Sequence, residues 1–344
     1  MNRLDINSYH LIAGFLKPLE INRLGICCKQ TKEMCKHFMT YSYNEHGCNE
    51  NYTDMKHIKW VVRDCAKDMF GDISNKQLNV LKITFDGKIN QPIDALSKCT
   101  QLEQLTFGSM FDQSINPLSN CTQLLCITFG KYFNQSIDAL SNCIQLQQLT
   151  FSSEFNQPIN ALSKCTRLRQ LTFGFRFNLP IDVLSNCVQL RQLRFGFRFN
   201  RPINALSNCT QLRKLTFGLF CRLTRTQISN FEGNYNQPID ALTTCTQLRN
   251  LALSNKFDRP INALSNCPQL RELIFGREFN HPIDVLSNCT QLQNLTFGFY
   301  FNQPIRTLAK CAQLKNIFFH KKIRNFYADT LRDSLHCSTF VFFY

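Results

Sequence analysis

The sequence predicts an α/β solenoid of about ten 22-residue coils, each giving one strand to a parallel sheet, preceded by a small all-α module. Three observations predict it. A segment such as Phe155 to Phe173, FNQPINALSKCTRLRQLTF, returns through most of the chain. Its cysteine recurs as Cys99, Cys121, Cys143, Cys165, Cys187, Cys209, Cys245, Cys267, Cys289 and Cys311, 22 residues apart except for one gap of 36. Each period also spaces its apolar residues three and then two apart, as in Leu168, Leu171 and Phe173, which is a chain entering a strand with alternate side chains inward. Finally, 344 residues exceed one compact domain, a limit that a stack escapes because each coil packs only on its neighbours.

Within one coil the elements follow in order. Gln170 and Thr172 face outward from the strand, and Gly174 lets the backbone leave it. Phe177 turns back into the core. Asn178 then belongs to a column of Asn or Asp, from Asn90 to Asn302, whose short side chains can bond turn backbone. Pro180 to Leu184 resembles the first turn of a short helix with Ile181 and Leu184 inward, and Cys187 closes the coil as a small buried hydrophobe.

Four segments are expected along the chain. Residues 1–45 place Leu11, Ile12, Phe15, Leu16 and Leu19 on helical spacings broken at Pro18, giving short helices. Residues 46–80 comprise a polar linker and a cap helix begun at Asp54, with Ile58, Val61, Val62, Cys65 and Met69 on one face. Residues 81–319 are the array, opening with Leu81, Ile83 and Phe85. Leu219 to Glu232 adds about 14 residues to one of its coils, an insertion of the kind that emerges on one face and serves docking. Residues 320–344 form a C-terminal cap: an amphipathic helix from Asn325 to His336, then a closing strand from Phe340 to Tyr344 that covers the open edge.

Composition narrows the function. The formal net charge is +15, which favours anionic partners and opposes self-association, so a monomer is expected. Eighteen cysteines, ten of them on the repeat spacing, and a start without a signal peptide point to reduced thiols in the cytoplasm, or the nucleus. Asn120, Asn208 and Asn288 head Asn-Cys-Thr sequons, expected to lie in packed coils with no room for a glycan. No apolar run approaches the roughly 20 residues that cross a bilayer. Phosphate-loop, zinc-protease and serine-hydrolase motifs are missing, so neither an enzyme nor a cofactor is expected. Cys35, His37, His46 and Cys48 make the one metal-like cluster. Their C-x-H and H-x-C spacings lack the usual knuckle, and no metal is assigned.

Two stretches carry family resemblances. LDINSYHLIAGFLKPLEINRLGICCKQTKEM resembles an F-box, with Asp5 and Thr31 where that family usually has proline and tryptophan. The resemblance implies a surface for a Skp-type linker, and through it a cullin, of a ubiquitin ligase; Leu4, Ile12, Leu16, Leu19, Ile21 and Leu24 match the family's apolar positions. The array, over roughly residues 83–319, resembles the leucine-rich-repeat-like FNIP repeats, through FNQPI at Phe155 and Phe301, FNRPI at Phe199 and FNHPI at Phe279. Ile89 and Tyr235 depart from the repeat phenylalanine, Ser114 and Ser136 from its proline. The pairing of these two families implies a source among amoebae or their large DNA viruses.

The expected binding surface is the outward strand face. One row reads Gln104, Gln148, Gln170, Gln192, Lys214, Asn250, Glu272 and Asn294; the next runs from Thr106 through Thr172 and Arg194 to Thr216. Arg169, Arg191, Arg213, Arg249 and Arg271 border the first row. The function expected is a non-enzymatic adaptor that selects an unnamed target protein for a cullin-RING ligase. A plain repeat scaffold or decoy is the alternative. Nucleic acid ranks last because exposed aromatics do not alternate with the basic residues.

Overall fold

The computed structural model describes residues 80–85, 87–218 and 233–320, with the backbone of further strands at 40–43, 58–62, 219–220, 231–232 and 340–343. The chain divides into two compact units, Met1–Leu146 and Gln147–Tyr344. In the first, β1 (Thr40–Tyr43), β2 (Ile58–Val62), β3 (Val80–Phe85), β4 (Gln104–Thr106) and β5 (Cys126–Thr128) pair in parallel in chain order. The second carries β6 (Gln148–Thr150), β7 (Gln170–Thr172), β8 (Gln192–Phe195) and β9 (Lys214–Phe217), also parallel. The insertion begins and ends as a small antiparallel pair, β10 (Leu219–Phe220) and β11 (Phe231–Glu232), so that β12 (Asn250–Ala252) pairs directly with β9. β13 (Glu272–Ile274), β14 (Asn294–Thr296), β15 (Asn316–Phe319) and β16 (Phe340–Phe343) complete the sheet of that unit.

Each coil buries the residues its spacing selects. Leu168, Leu171, Phe173, Phe177, Ile181, Leu184 and Cys187 are all at most 1% exposed. The helical turn is a five-residue 3-10 helix, Asp182–Asn186, closed by N–H bonds from Leu184 to Ile181 O and from Cys187 to Leu184 O, both 2.9 Å. Those i to i+3 bonds make the tightest turn that can return three anchors to the core within so few residues.

Stacking adds what a single coil lacks. Phe173 lies on Phe177 of its own coil with ring centroids 3.9 Å apart, and on Phe195 of the next at 5.6 Å; Phe177 meets Phe199 at 6.2 Å. Two columns of rings thus run through the core. Tyr235 continues one of them, its buried hydroxyl donating to the Pro238 carbonyl at 3.0 Å, which satisfies a polar group the phenylalanine did not have. The asparagine column bonds backbone as expected, and does so between coils: the Asn200 N–H donates to Oδ1 of Asn178 at 2.9 Å, and the Asn302 N–H to Asn280 at 3.0 Å. Where proline is replaced, Ser136 Oγ accepts from the Asp138 N–H at 3.2 Å and donates to its carboxylate at 2.8 Å, holding the start of the 3-10 turn by hydrogen bonds in place of a ring.

The first residues of the 3-10 turns alternate in charge. Asp94, Asn116 and Asp138 occupy this exposed position in the first unit, and Asn160, Asp182, Asn204, Asp240, Asn262 and Asp284 in the second. Among the described turns neighbouring coils never both carry the carboxylate there, and Arg306 of the last turn, Arg306–Lys310, ends the alternation.

Several expectations require correction. Ile58–Val62, expected in a helix, is a strand paired with β3; its sequence IKWVV is β-branched and aromatic, and an extended backbone suits it better than an amphipathic spacing over five residues. Thr40–Tyr43, placed in the all-α module and the linker, is also a strand. Val80 takes the inward place assigned to Leu81, because the 22-residue step sets residue 80 under Leu102; Val80 is 0% exposed and Leu81 half-buried. The glycine after a strand answers to crowding at Gly130, Gly174, Gly196, Gly276 and Gly298, where a Cβ on Gly174, for example, would lie 1.5 Å from the Ser152 carbonyl oxygen; Gly218, with φ 101°, is the described glycine that takes a left-handed backbone. Asn120, Asn208 and Asn288 are exposed, so the expectation that packed coils leave no room for a glycan does not hold. The closing strand is present as β16, paired with β15. The expected helix 325–336, the 1–39 part of the helical module and the cluster Cys35, His37, His46 and Cys48 lie outside the described residues.

Candidate partner-binding face

The outward side chains of β6 to β9 and β12 to β15 form the candidate site. The parallel register puts Gln170 beside Gln192, Gln192 beside Lys214, and Thr172 beside Arg194. Around them opens a depression of about 200 Å³ lined by Gln170, Thr172, Gln192, Arg194, Lys214 and Thr216, with Leu171 and Leu193 beneath. Two cations and four neutral hydrogen-bonding groups meet there, the chemistry of a site for an anionic side chain.

Arg194 replaces a threonine of its row, and its burial pulls the guanidinium pKa below its ordinary value, a desolvation that an incoming anion would offset. The arginine border stands one residue ahead of the strands. Arg169 and Arg271 are exposed, and Arg191, Arg194, Arg213 and Arg249 half-buried, so the expectation that Arg191, Arg194 and Arg213 are exposed is revised. Strand stacking places successive arginines about 4.8 Å apart at the backbone. Like charges about 5 Å apart repel by about 0.8 kcal/mol even in bulk water, and by more where half-buried. Among the described residues no carboxylate lies within 4.0 Å of Arg169, Arg191, Arg194, Arg213, Lys214, Arg249 or Arg271. Glu272, the one acid of the first row, is held by the Asn250 side-chain amide at 2.6 Å. The Nε of Arg213 and the Nε of Arg249, in adjacent coils, are buried with no hydrogen-bond partner.

Sequence reasoning missed the second row's change of character. Thr128 is exposed and Thr172 half-buried, but Thr216 is 6% exposed and the row continues as Ala252, Ile274 and Thr296 at 7%, 9% and 4%. A signal was available, since Ala252 and Ile274 break the run of threonines. Cys126 stands in the first row of the first unit, half-buried, with its thiol pKa raised chiefly by burial.

Among the described residues no group of three or more His, Cys, Asp or Glu could hold a metal ion. No helix among them is long and apolar enough to cross a membrane.

No protein-family model and no curated protein matches the chain. Solved structures do. An internalin, InlF of Listeria monocytogenes, superposes with a TM-score of 0.59 at 18% identity, over 78% of this chain and 75% of that one. CroV588, a circular leucine-rich-repeat protein, gives 0.51 at 22% identity, over 89% and 49%. TLR13, solved in complex with ssRNA13, gives 0.51 at 12% identity, over 99% and 60%. The chain is a leucine-rich-repeat-like solenoid protein. Leucine-rich-repeat folds are typically interaction scaffolds and not enzymes, and the sheet of stacked repeats is a usual contact surface.

Proposed function

We propose that this leucine-rich-repeat protein is a non-enzymatic adaptor whose strand face selects a target protein and whose N-terminal module, residues 1–45, engages the Skp-type linker and cullin of a ubiquitin ligase. The observation that carries the binding half is the group of seven basic side chains, Arg169, Arg191, Arg194, Arg213, Lys214, Arg249 and Arg271, with no carboxylate of the described residues within 4.0 Å. The ligase half is supported by the F-box-like order of Leu4, Ile12, Leu16, Leu19, Ile21 and Leu24. The cytoplasm or nucleus, where the linker operates, is the proposed location, with a monomer as the proposed state.

The strand face is tested by replacing Arg191, Arg194 and Arg213 with Glu. These side chains point away from the packed core, so the melting curve is expected to stay within a few degrees of the parent. Partner recovery is expected to fall at least tenfold and to lose most of its dependence on salt, since charge reversal acts on association rate and on screened attraction. Undiminished recovery with a normal melt would move the binding surface to the Leu219–Glu232 insertion.

The module is tested separately. Hot spots in such interfaces are few and central, and Leu16 and Leu19 flank Pro18, a residue type that breaks helices. Leu16→Ala with Leu19→Ala is expected to abolish co-isolation of linker and cullin while the array keeps its melting transition and its other partners. Linker binding retained by that variant, or missing from the parent chain at micromolar concentration, would leave the scaffold without ligase contact as the better reading.

A further inference from the structure

The five-arginine column can be compared with its own repeats. The same position in other coils holds Glu103, Leu125, Gln147, Gln293 and Lys315. The backbone bonds there do not change with the side chain: Arg191 N–H to Arg169 O, Gln293 N–H to Arg271 O and Lys315 N–H to Gln293 O are all 2.8 Å. Coil geometry therefore places no demand on this residue, in contrast to the buried leucine, phenylalanine, asparagine and cysteine columns. Five consecutive arginines are an electrostatic feature that the fold does not need and that mutual repulsion opposes.

We infer that the column Arg169, Arg191, Arg213, Arg249 and Arg271 receives a linear acidic peptide segment laid along it, with the Arg194–Lys214 depression taking one further carboxylate side chain. This rests on the reading of the strand face as the binding surface, and names what that surface takes. Four steps of about 4.8 Å carry the column across about 19 Å. An extended peptide advances about 3.4 Å per residue, so carboxylates on one of its faces recur every 6.8 Å or so, and about six residues span the column with three acids turned toward it. Arginine forks suit this ligand because each can hold a carboxylate by two parallel bonds. The unpartnered Nε–H groups of Arg213 and Arg249 mark the centre of the column as short of acceptors.

Single-stranded nucleic acid is the competing polyanion, and the face is poorly made for it. Base stacking calls for aromatic platforms between the charges. The outward rows beside the arginine column are Gln, Asn, Lys, Glu, Thr, Arg, Ala and Ile; the one ring among the described residues of those rows, Phe318, lies two coils past Arg271, and the surface rings of Phe175 and Phe197 stand beyond the C-terminal ends of their strands, stacked on each other at 5.0 Å. Lysine and arginine clusters that serve only solubility would be spread over several faces, whereas these occupy one row.

The test uses the full chain and three fluorescent probes: a twelve-residue peptide alternating Glu with Ser, the same peptide with Gln for Glu, and a twelve-nucleotide oligouridine. The Glu peptide is expected to bind at micromolar concentration and the Gln peptide at least thirtyfold more weakly. Arg191→Gln, Arg213→Gln and Arg249→Gln together should weaken the Glu peptide at least tenfold, while Arg306→Gln, on the 3-10 side, should leave it unchanged. Oligouridine binding more tightly than the Glu peptide, no Glu peptide binding, or Glu peptide binding indifferent to the triple change would each overturn the inference. Recovery of cellular partners separates the two levels. If the Glu peptide fails but recovery still collapses in the Arg191, Arg194 and Arg213 to Glu variant, the strand face remains the binding surface and only its linear acidic ligand is rejected. If recovery is also indifferent, the strand-face reading falls with it.

Discussion

Gly174→Ala is expected to destabilise the second unit by about 3 kcal/mol or more, at the upper end of what overpacking by a single methyl does. The added Cβ would lie 1.5 Å from the Ser152 carbonyl oxygen and 2.1 Å from its carbon. The obstacle is backbone next to the paired strands β6 and β7, which has no rotamer through which to retreat. Gly196 and Gly298 face the same contact, at 1.8 and 1.9 Å from the carbonyl oxygen of the coil before. Gly87→Ala supplies the control, since its Cβ would meet the Ser109 hydroxyl at 3.3 Å, a light contact with a side chain able to shift. A denaturant midpoint that moves far more for Gly174→Ala than for Gly87→Ala is the expected result. Equal small shifts would mean that the coils do not approach as closely as the backbone places them.

The second large effect is alkaline unfolding driven by the cysteine column. Burial raises the thiols of Cys121, Cys187, Cys209, Cys267 and Cys289 from 9.0 to about 12, with neighbouring cysteines adding to the effect. Burial likewise raises Cys99, Cys165, Cys245 and Cys311 to about 11. A thiol whose folded pKa is raised keeps its proton in the folded chain while the unfolded chain releases it. Its contribution is therefore whole below pH 9 and is lost as pH climbs from 9 toward 11 or 12. Each such thiol contributes about 1.4 kcal/mol per pH unit in that window. Nine acting together exceed the few kcal/mol to about 15 kcal/mol that usually hold a native state, so the array should lose its far-ultraviolet signal between about pH 10 and 11. At pH 8 the same column should resist alkylation until denatured, since Cys187 is 0% exposed and its Sγ lies against the Leu162 and Cys165 carbonyls at 3.8 Å. Rapid labelling at pH 8, or a native signal surviving at pH 11, would contradict the inward, stacked placement of these thiols.

What could be read without the structure divides along physical lines. Leu168, Leu171, Phe173 and Cys187 were legible because a periodic chain states the same burial rule ten times. The end of the array was less so: Val80 replaced Leu81 where only one neighbour fixes the register, and Ile58–Val62 satisfied a helical spacing and a strand propensity at once, with sheet pairing deciding between them. The role of Gly174 was hidden because crowding between coils is a distance and leaves no sign in the sequence beyond glycine itself. At the binding face, the position of each arginine followed from the period. The desolvation of Arg194, the buried Nε of Arg213 and the change of Thr216 to a covered position depend on how long side chains fold over one another, which no spacing encodes.

The alternation of Asp and Asn on the 3-10 side has a genetic consequence. Because a carboxylate appears only in every second coil, the smallest segment that can be copied or lost without altering the charge pattern is 44 residues long, two coils, although the backbone repeats after 22. Excising residues 262–283 would set Asp240 next to Asp284, whereas excising 240–283 would leave Asn204 beside Asp284 and the pattern intact. Growth and shrinkage of such a gene in paired units would pass without electrostatic penalty, and a single-unit slip that lost an Asn coil or gained an Asp coil would carry a like-charge mark that a later Asp to Asn change could erase.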